Sequence, residues 1–141
     1  MADEDLGELC GRATRRLAKA ERPLLDQHGL SMWQYIVLTA LAREPARSQL
    51  ELSRAIDYDK TRLIALLDEL EAAGLITRRP DPNDRRARLV SLPPEGTRRR
   101  AAARGAIREM EEGVLAELDP TTRSLLRKGL RHLAGLNDAG A

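Results

Sequence analysis

Basic side chains are concentrated in one part of this 141-residue chain, and they are of a type that binds phosphate. Between Thr77 and Arg100 there are eight arginines and three acidic residues, whereas the whole chain carries a net charge of +2. An arginine can pair with phosphate, read guanine or enter a narrow DNA groove. The segment therefore predicts contact with a polyanion, and the alternative is a charged surface that only keeps the protein soluble.

Two short groups of side chains are the strongest candidates for this contact. They are Lys60, Thr61 and Arg62 in the first turn of a predicted helix, and Arg85, Arg86 and Arg88 near the tip of a predicted hairpin. An exposed helix start and a cationic β-tip suit the two grooves of a DNA duplex.

Local sequence signals position both groups. Asp59 is a good N-cap for the helix, and leucines at positions 63, 66, 67 and 70 define one buried stripe. Gly74 ends the helix, because a positive φ is cheap only without a Cβ. The turn formers at 81–83 then reverse the chain, and Val90 and Leu92 face one side of a half-buried strand. The segment predicts a helix followed by a two-stranded hairpin.

The other segments read as helices, so the predicted fold is mainly α. Ser31 with Gln34, and Ser48 with Glu51, have capping-box spacing. Pro23 should kink or divide the first helix. The predicted helices run from Leu6 to His28, from Ser31 to the break at Pro45, from Ser48 to about Ile56, from Lys60 to the stop at Gly74, from Glu95 to about Leu118 and from Pro120 to about Leu136. Two short helices around residues 57–59, followed by a hairpin, predict a winged helix-turn-helix within a single domain, residues 1–141.

The segment from Asp59 to Arg104 resembles the MarR (multiple antibiotic resistance regulator) family of bacterial transcription factors. The resemblance is carried by Leu67-Asp68-Glu69-Leu70-Glu71-Ala72-Ala73-Gly74-Leu75-Ile76, by the run Arg79 to Leu92 with its Asp84-Arg85-Arg86, and by Gly29-Leu30-Ser31-Met32-Trp33-Gln34-Tyr35 upstream. It implies a dimeric DNA-binding regulator, usually a repressor. Residues 31–92 would form the DNA-binding lobe, and residues 1–30 and 94–141 the dimerisation helices.

The resemblance also implies roles for individual residues. Arg86 matches the wing arginine that reaches the minor groove, and Asp84 matches the acidic residue that holds the wing. Ser48 and Gln49 fall where the family contacts the DNA backbone. Where the family often has an arginine in the recognition helix this chain has Ala65, and Arg62 lies nearly one turn earlier.

Regulation is the second expectation that the resemblance supplies. Small phenolic or carboxylate effectors bind family members between the dimerisation helices and the DNA-binding lobe, which here points to Trp33, Tyr35 and the first helix. The alternative is that these side chains belong to the core. Some members sense peroxides through a cysteine in the first helix, and Cys10 stands there. The alternatives are therefore a peroxide-sensing regulator through Cys10, and a winged-helix module that binds other proteins.

The composition and the motifs of the chain argue against several classes of protein. A single cysteine excludes an intrachain disulfide framework, and His28 and His132 have no second ligand at metal spacing. The acidic N-terminus does not resemble a signal peptide, and no stretch approaches the ~20 apolar residues of a membrane span. No phosphate-binding loop or catalytic constellation stands out. We therefore expect a cytoplasmic protein that is not an enzyme and has no metal or cofactor.

Overall fold

The computed structural model describes residues 3–136, and the ends of the predicted dimerisation segments, 1–2 and 137–141, lie outside this range. The described residues form six helices and three short strands. These are α1 (Leu6–Gln27), α2 (Met32–Arg43), β1 (Arg47–Ser48), α3 (Gln49–Ala55), α4 (Lys60–Ala72), β2 (Thr77–Asp81), β3 (Asp84–Ser91), α5 (Pro94–Leu115) and α6 (Pro120–Leu133). The predicted fold, mainly helical with a small β-hairpin wing, is confirmed.

Helix starts and ends follow the local signals in the sequence. Ser31 and Gln34 form a complete capping box, and Asp59 accepts a 2.9 Å hydrogen bond from the Arg62 backbone N–H. Gly74 has a φ of +74°, as its place after α4 requires. Pro23 does not divide α1, which is continuous through it. Its exposed position allows water to replace the helical hydrogen bond that proline cannot donate.

The predicted hairpin is confirmed as β2 and β3, and the structure adds a third strand. The antiparallel order is β1-β3-β2, with Arg47 opposite Val90 and Ser48 opposite Leu89. A strand of two residues is too short to show an alternating pattern in the sequence. Its extended conformation depends on its pairing with β3. As a consequence, β3 pairs with β1 at the start of α3 on one side and with β2, the other strand of the wing, on the other side.

The core around α4 is made of leucines on one side of this helix and on the elements that surround it. Leu63, Leu67 and Leu70 are fully buried, as are Leu38 of α2 and Leu52 of α3. Each buried leucine contributes roughly 1.5–3 kcal/mol relative to an exposed one. This packing fixes which side of α4 remains outside and therefore which residues can meet a partner.

Gly96 lies where the start of α5 meets the backbone after α4. A Cβ on Gly96 would lie 2.1 Å from the carbonyl oxygen of Leu75 and 3.2 Å from a methyl carbon of Leu92. The first contact is with backbone, which cannot rotate away as a side chain can. Only glycine therefore allows α5 to begin this close to Leu75.

The described residues form two compact units, the first ending at Ile107 and the second beginning at Arg108. In the second unit, Arg127 lies within 4 Å of Glu111 and Glu112, and Asp119 caps α6 by accepting from the Thr122 N–H. None of the residues of α6 is buried. Its exposed leucines are Leu125, Leu126, Leu130 and Leu133, followed by Leu136.

In the first unit, the N-terminal half of α1 also carries exposed apolar side chains. Leu6 is 63% exposed and Leu9 is 44% exposed, whereas Leu25, near the other end of the helix, is buried. The 22-residue α1 therefore packs against the lobe only through its C-terminal part.

Candidate nucleic-acid interface

The first turn of α4 presents polar side chains to solvent. Lys60, Thr61 and Arg62 are all exposed, whereas Leu63 behind them is fully buried. The Asp59 carboxylate accepts a hydrogen bond from one of the free N–H groups at this helix start. The other free N–H groups of the first turn point out of the same end of the helix. The arrangement suits the edge of a base or a phosphate oxygen approaching the helix end.

The wing is shaped by two aspartates that bind backbone N–H groups. Asp81 accepts from the Asn83 N–H at 2.8 Å, and Asp84 accepts from the Arg86 N–H at 2.9 Å. Asp84 therefore holds the backbone of the residue that the sequence predicts to enter the minor groove. Such local aspartate bonds stabilise turns.

The wing arginines are free of the core and oriented by strand alternation. Arg85, Arg86 and Arg88 are all exposed along the first half of β3. Successive side chains of a strand point to opposite faces, so Arg86 and Arg88 share one face and Arg85 lies on the other. Up to three guanidinium groups can therefore line a groove and its flanking phosphates.

Ser48 and Gln49 lie beside the wing, but their side chains already have protein partners. The Ser48 hydroxyl accepts from the Glu51 N–H at 3.1 Å and so caps α3. The side-chain carbonyl of Gln49 lies 3.4 Å from Nη1 of Arg78. Both residues are half-buried. Any contact with DNA at this place therefore includes the backbone N–H groups at the start of α3.

Arg78 is the residue that the sequence analysis does not identify. Its side chain is only 9% exposed, and Nη2 donates to Asp68 at 2.6 Å and to Glu71 at 3.0 Å. The signal was present in the alternation that leads into β2, because Ile76, the residue before the strand, is buried and Arg78 lies two residues later. A charged residue at such a position requires partners, and α4 supplies them.

The ion pairs of this cluster shift the pKa values of its members. The hydrogen bond from Arg78 holds the pKa of the Glu71 carboxyl below its ordinary value of 4.5. The same bond, together with that to Asp68, raises the pKa of Arg78. Both shifts favour the charged forms, so Arg78 and Glu71 are charged at neutral pH.

The start of α2 connects α4 to a groove on the side of α1. The rings of Trp33 and Tyr58 lie with centroids 4.3 Å apart, and Tyr58 precedes Lys60 by two residues. The side-chain amide of Gln34 donates to Glu69 of α4 at 3.3 Å.

Trp33 also lines an open groove of about 780 Å³ between α1 and the start of α2. The predicted pocket residue Trp33 is therefore at a cavity, whereas Tyr35 is half-buried and does not line it. Cys10 is exposed on α1, and its redox role stays a prediction.

Among residues 3–136, no helix is long and apolar enough to cross a lipid bilayer. Within the same range, no group of three or more His, Cys, Asp or Glu side chains is placed to hold a metal ion.

Comparison with known proteins identifies this winged fold. A family model described as the MarR family matches residues 28–87, which include the helix-turn-helix and most of the wing. CouR, a transcriptional repressor solved on a 23-mer DNA duplex, superimposes with a TM-score of 0.84. It is 27% identical, and the match covers 92% of each chain. The chain is similar to the MarR family in sequence over residues 28–87 and in fold over nearly its whole length.

Two curated relatives agree with this assignment. A protein named as a transcriptional regulatory protein for the hcr operon of Thauera aromatica is 29% identical over 112 residues, covering 79% of this chain and 68% of that protein. The regulator PrsX of Escherichia coli is 33% identical over 93 residues, covering 64% of this chain and 56% of PrsX. The match to PrsX thus spans little more than half of that relative. On these matches the chain is a transcriptional regulator with a DNA-binding winged-helix fold.

Proposed function

We propose that the protein is a homodimeric, sequence-specific repressor that acts in the cytoplasm and responds to a small effector. Residues 31–92 form its DNA-binding lobe, and residues 1–30 and 94–141 pair with a second copy. The first turn of α4 enters the major groove, and the wing approaches the adjacent minor groove.

The observation that carries this proposal is the exposure of two cationic elements on one lobe. Lys60 and Arg62 start α4, Arg86 lies on the wing, and none of the three is covered by the chain. In the proposal Lys60, Thr61 and Arg62 read base edges, Arg86 enters the minor groove, and Asp84 holds the backbone of Arg86. Arg85, Arg88, Ser48 and Gln49 complete the interface by contacting phosphates.

The dimer is supported by apolar side chains that the protomer leaves in solvent. Leu130 and Leu133 on α6 are 47% and 66% exposed, and Leu6 on α1 is 63% exposed. Leucines repeated along one helix face normally meet a partner, because burying them stabilises the assembly by about 25 cal/mol per Å². A two-fold dimer places its recognition helices on half-sites about one helical turn apart.

The effector response is supported by the groove beside Trp33. Lys19 and Arg22 lie at its wall together with Glu21 and Asp26, beside the apolar side chains of Leu25 and Leu30. The two cations can pair with a carboxylate, and the apolar surface suits the ring of an aromatic one. Such a ligand changes DNA binding only if it prefers one spacing of the two recognition helices, and the contact of Trp33 with Tyr58 gives it a route to α4.

Selection of duplexes from a random-sequence pool tests the proposed function. We expect a pseudo-palindromic site whose affinity falls steeply with salt concentration. Arg86→Ala should weaken binding to that site by roughly tenfold or more, since a groove-reading arginine contributes ~1–3 kcal/mol. Arg104→Ala removes the same charge from an exposed position on α5 and should leave affinity within about twofold.

Failure to enrich any duplex would contradict the proposal and favour the protein-interaction alternative. Equal losses for the two arginine variants would contradict the role of Arg86 in the wing.

A further inference from the structure

The Arg78 side chain joins three elements of the DNA-binding lobe at one point. Its Nε and Nη2 atoms donate to the two carboxylate oxygens of Glu71, at 3.3 and 3.0 Å. Nη2 also donates to Asp68 at 2.6 Å, and Nη1 lies 3.4 Å from the Gln49 carbonyl oxygen. One guanidinium group of β2 is thereby fixed to α4 by a two-pronged contact and to the start of α3 by a third arm.

This cluster lies at the base of the wing. The chain leaves α4 at Gly74, and Arg78 is only four residues further on. The strand that contains Arg78 then leads directly to the turn that precedes Arg86. Beyond this base the hairpin is exposed from Arg79 to Arg86, apart from the half-buried Asp81. The angle between α4 and the wing therefore depends on contacts near the base, of which Arg78 makes the charged ones.

Arg78 is unsuited to touch DNA itself. Only 9% of its side chain is exposed, and most of its N–H groups already have acceptors. Its partners are different, because Asp68 is 61% exposed and Glu71 is 43% exposed. Left uncompensated, these carboxylates on the proposed recognition helix would repel phosphate. The buried guanidinium balances part of that charge.

We infer that Arg78 is a positioning residue for DNA recognition, which sets the spacing between the recognition helix and Arg86 so that both engage one duplex. This inference rests on the proposed DNA-binding function. It assigns specificity to a residue that contacts no base, because a wing held at another angle cannot reach the minor groove while α4 occupies the major groove.

A double-mutant cycle between Arg78→Lys and Arg86→Ala tests the inference on the selected duplex. Lysine keeps the charge but cannot form the planar two-pronged contact. We expect Arg78→Lys to weaken binding about tenfold, and Arg86→Ala to cost about twofold or less in that background. For Arg78→Lys, the slope of log affinity against log salt concentration should equal the slope for Arg86→Ala. The double variant should show this same slope and no further reduction.

The matched control is Arg79→Lys, because Arg79 is the next residue of β2 and is exposed. In that background Arg86→Ala should keep its full cost. Additive losses for Arg78 and Arg86 would overturn the inference, since a residue that only stabilises the fold gives additivity. A further fall in salt slope by about one would also overturn it, because Arg78 would then contact phosphate.

Melting curves without DNA show which variants are folded at the assay temperature. If Arg78→Lys is not folded at that temperature, the cycle is run with Asp68→Asn, which weakens the contact of Arg78 with α4 at a largely exposed position. The same non-additivity with Arg86→Ala is then expected. If the wild-type protein enriches no duplex, the proposed function fails and the inference with it. If it binds and the cycle is additive, only the inference fails.

Discussion

Trp33 and Tyr58 lie with ring centroids 4.3 Å apart and ring planes inclined by 32°. Trp33 belongs to α2 and to the groove beside α1, whereas Tyr58 belongs to the turn that precedes the recognition helix. A direct contact therefore connects the candidate effector site to the candidate DNA-reading element. Since Trp33 is the only tryptophan in the chain, its fluorescence reports on this contact.

Replacing one ring by an aliphatic side chain should weaken the contact between Trp33 and position 58 while keeping an apolar residue there. We expect Tyr58→Leu to lower the free energy of unfolding by about 1 kcal/mol, the usual contribution of an aromatic pair. Urea unfolding, followed by tryptophan emission, measures it, and the native emission spectrum should shift as well. Tyr35→Leu is the control, because it changes the other tyrosine without touching this pair. Identical spectral shifts in both variants would argue against the contact.

Gly96 should tolerate no side chain. The Cβ of Gly96→Ala would lie 2.1 Å from the backbone oxygen of Leu75, so α5 must move away from it. We expect a loss of ~1–3 kcal/mol in thermal or urea unfolding, as for other overpacked sites. Gly105→Ala lies in the same helix with nothing within 4 Å of its new Cβ, and it should gain up to ~1 kcal/mol. A neutral Gly96→Ala would refute the close approach.

The Arg78 cluster predicts an acid-sensitive contribution to stability. The folded-state pKa of Glu71 is lowered from 4.5, so its contribution is present above pH 4.5 and is lost as pH falls below it. Glu71→Gln should therefore destabilise the protein at neutral pH, and its difference from the wild type should shrink on acidification. Urea unfolding at about pH 7 and about pH 3.5 gives the two differences.

Glu69→Gln is the matched control for this prediction. Glu69 lies on the same helix, but its carboxylate accepts from the neutral amide of Gln34 rather than from an arginine. The substitution should therefore change stability less at neutral pH. A stability difference for Glu71→Gln that stays constant over the whole pH range would contradict the origin of the shift.

The exposed leucines of α6 predict that one charge disrupts the proposed dimer. Leu130→Glu places a carboxylate in the apolar face, and we expect a monomer in analytical ultracentrifugation at concentrations at which the wild type is dimeric. Ser124→Glu is the control, because helical geometry places residue 124 on the opposite side of α6. A wild-type monomer, or a dimer that survives Leu130→Glu, would contradict the proposed interface.

Local signals allowed most of the fold to be predicted from the sequence. The caps at Ser31, Asp59 and Asp119 and the turn at Gly74 act within a few residues, so the helices they delimit were predicted closely. Features that depend on distant partners were not predicted. Strand β1 exists because Val90 and Leu89 pair with it, and Gly96 matters because Leu75 lies against it.

The candidate site divides in the same way. The exposed Lys60, Arg62 and Arg86 could be identified because outward positions follow from the buried stripe and the turn. Arg78 was overlooked because an arginine within a basic run looks like its exposed neighbours. Only its alternation with Ile76 and the spacing of Asp68 and Glu71 on α4 show that it points inward.

The strand order β1-β3-β2 limits aggregation through the edges of the sheet. The longest strand is in the centre, one outer strand has two residues, and the other contains Pro80, which has no N–H to donate. An extended segment of another molecule therefore finds few positions at which to add to the sheet. A hairpin can thus project far into solvent without becoming a template for fibrils.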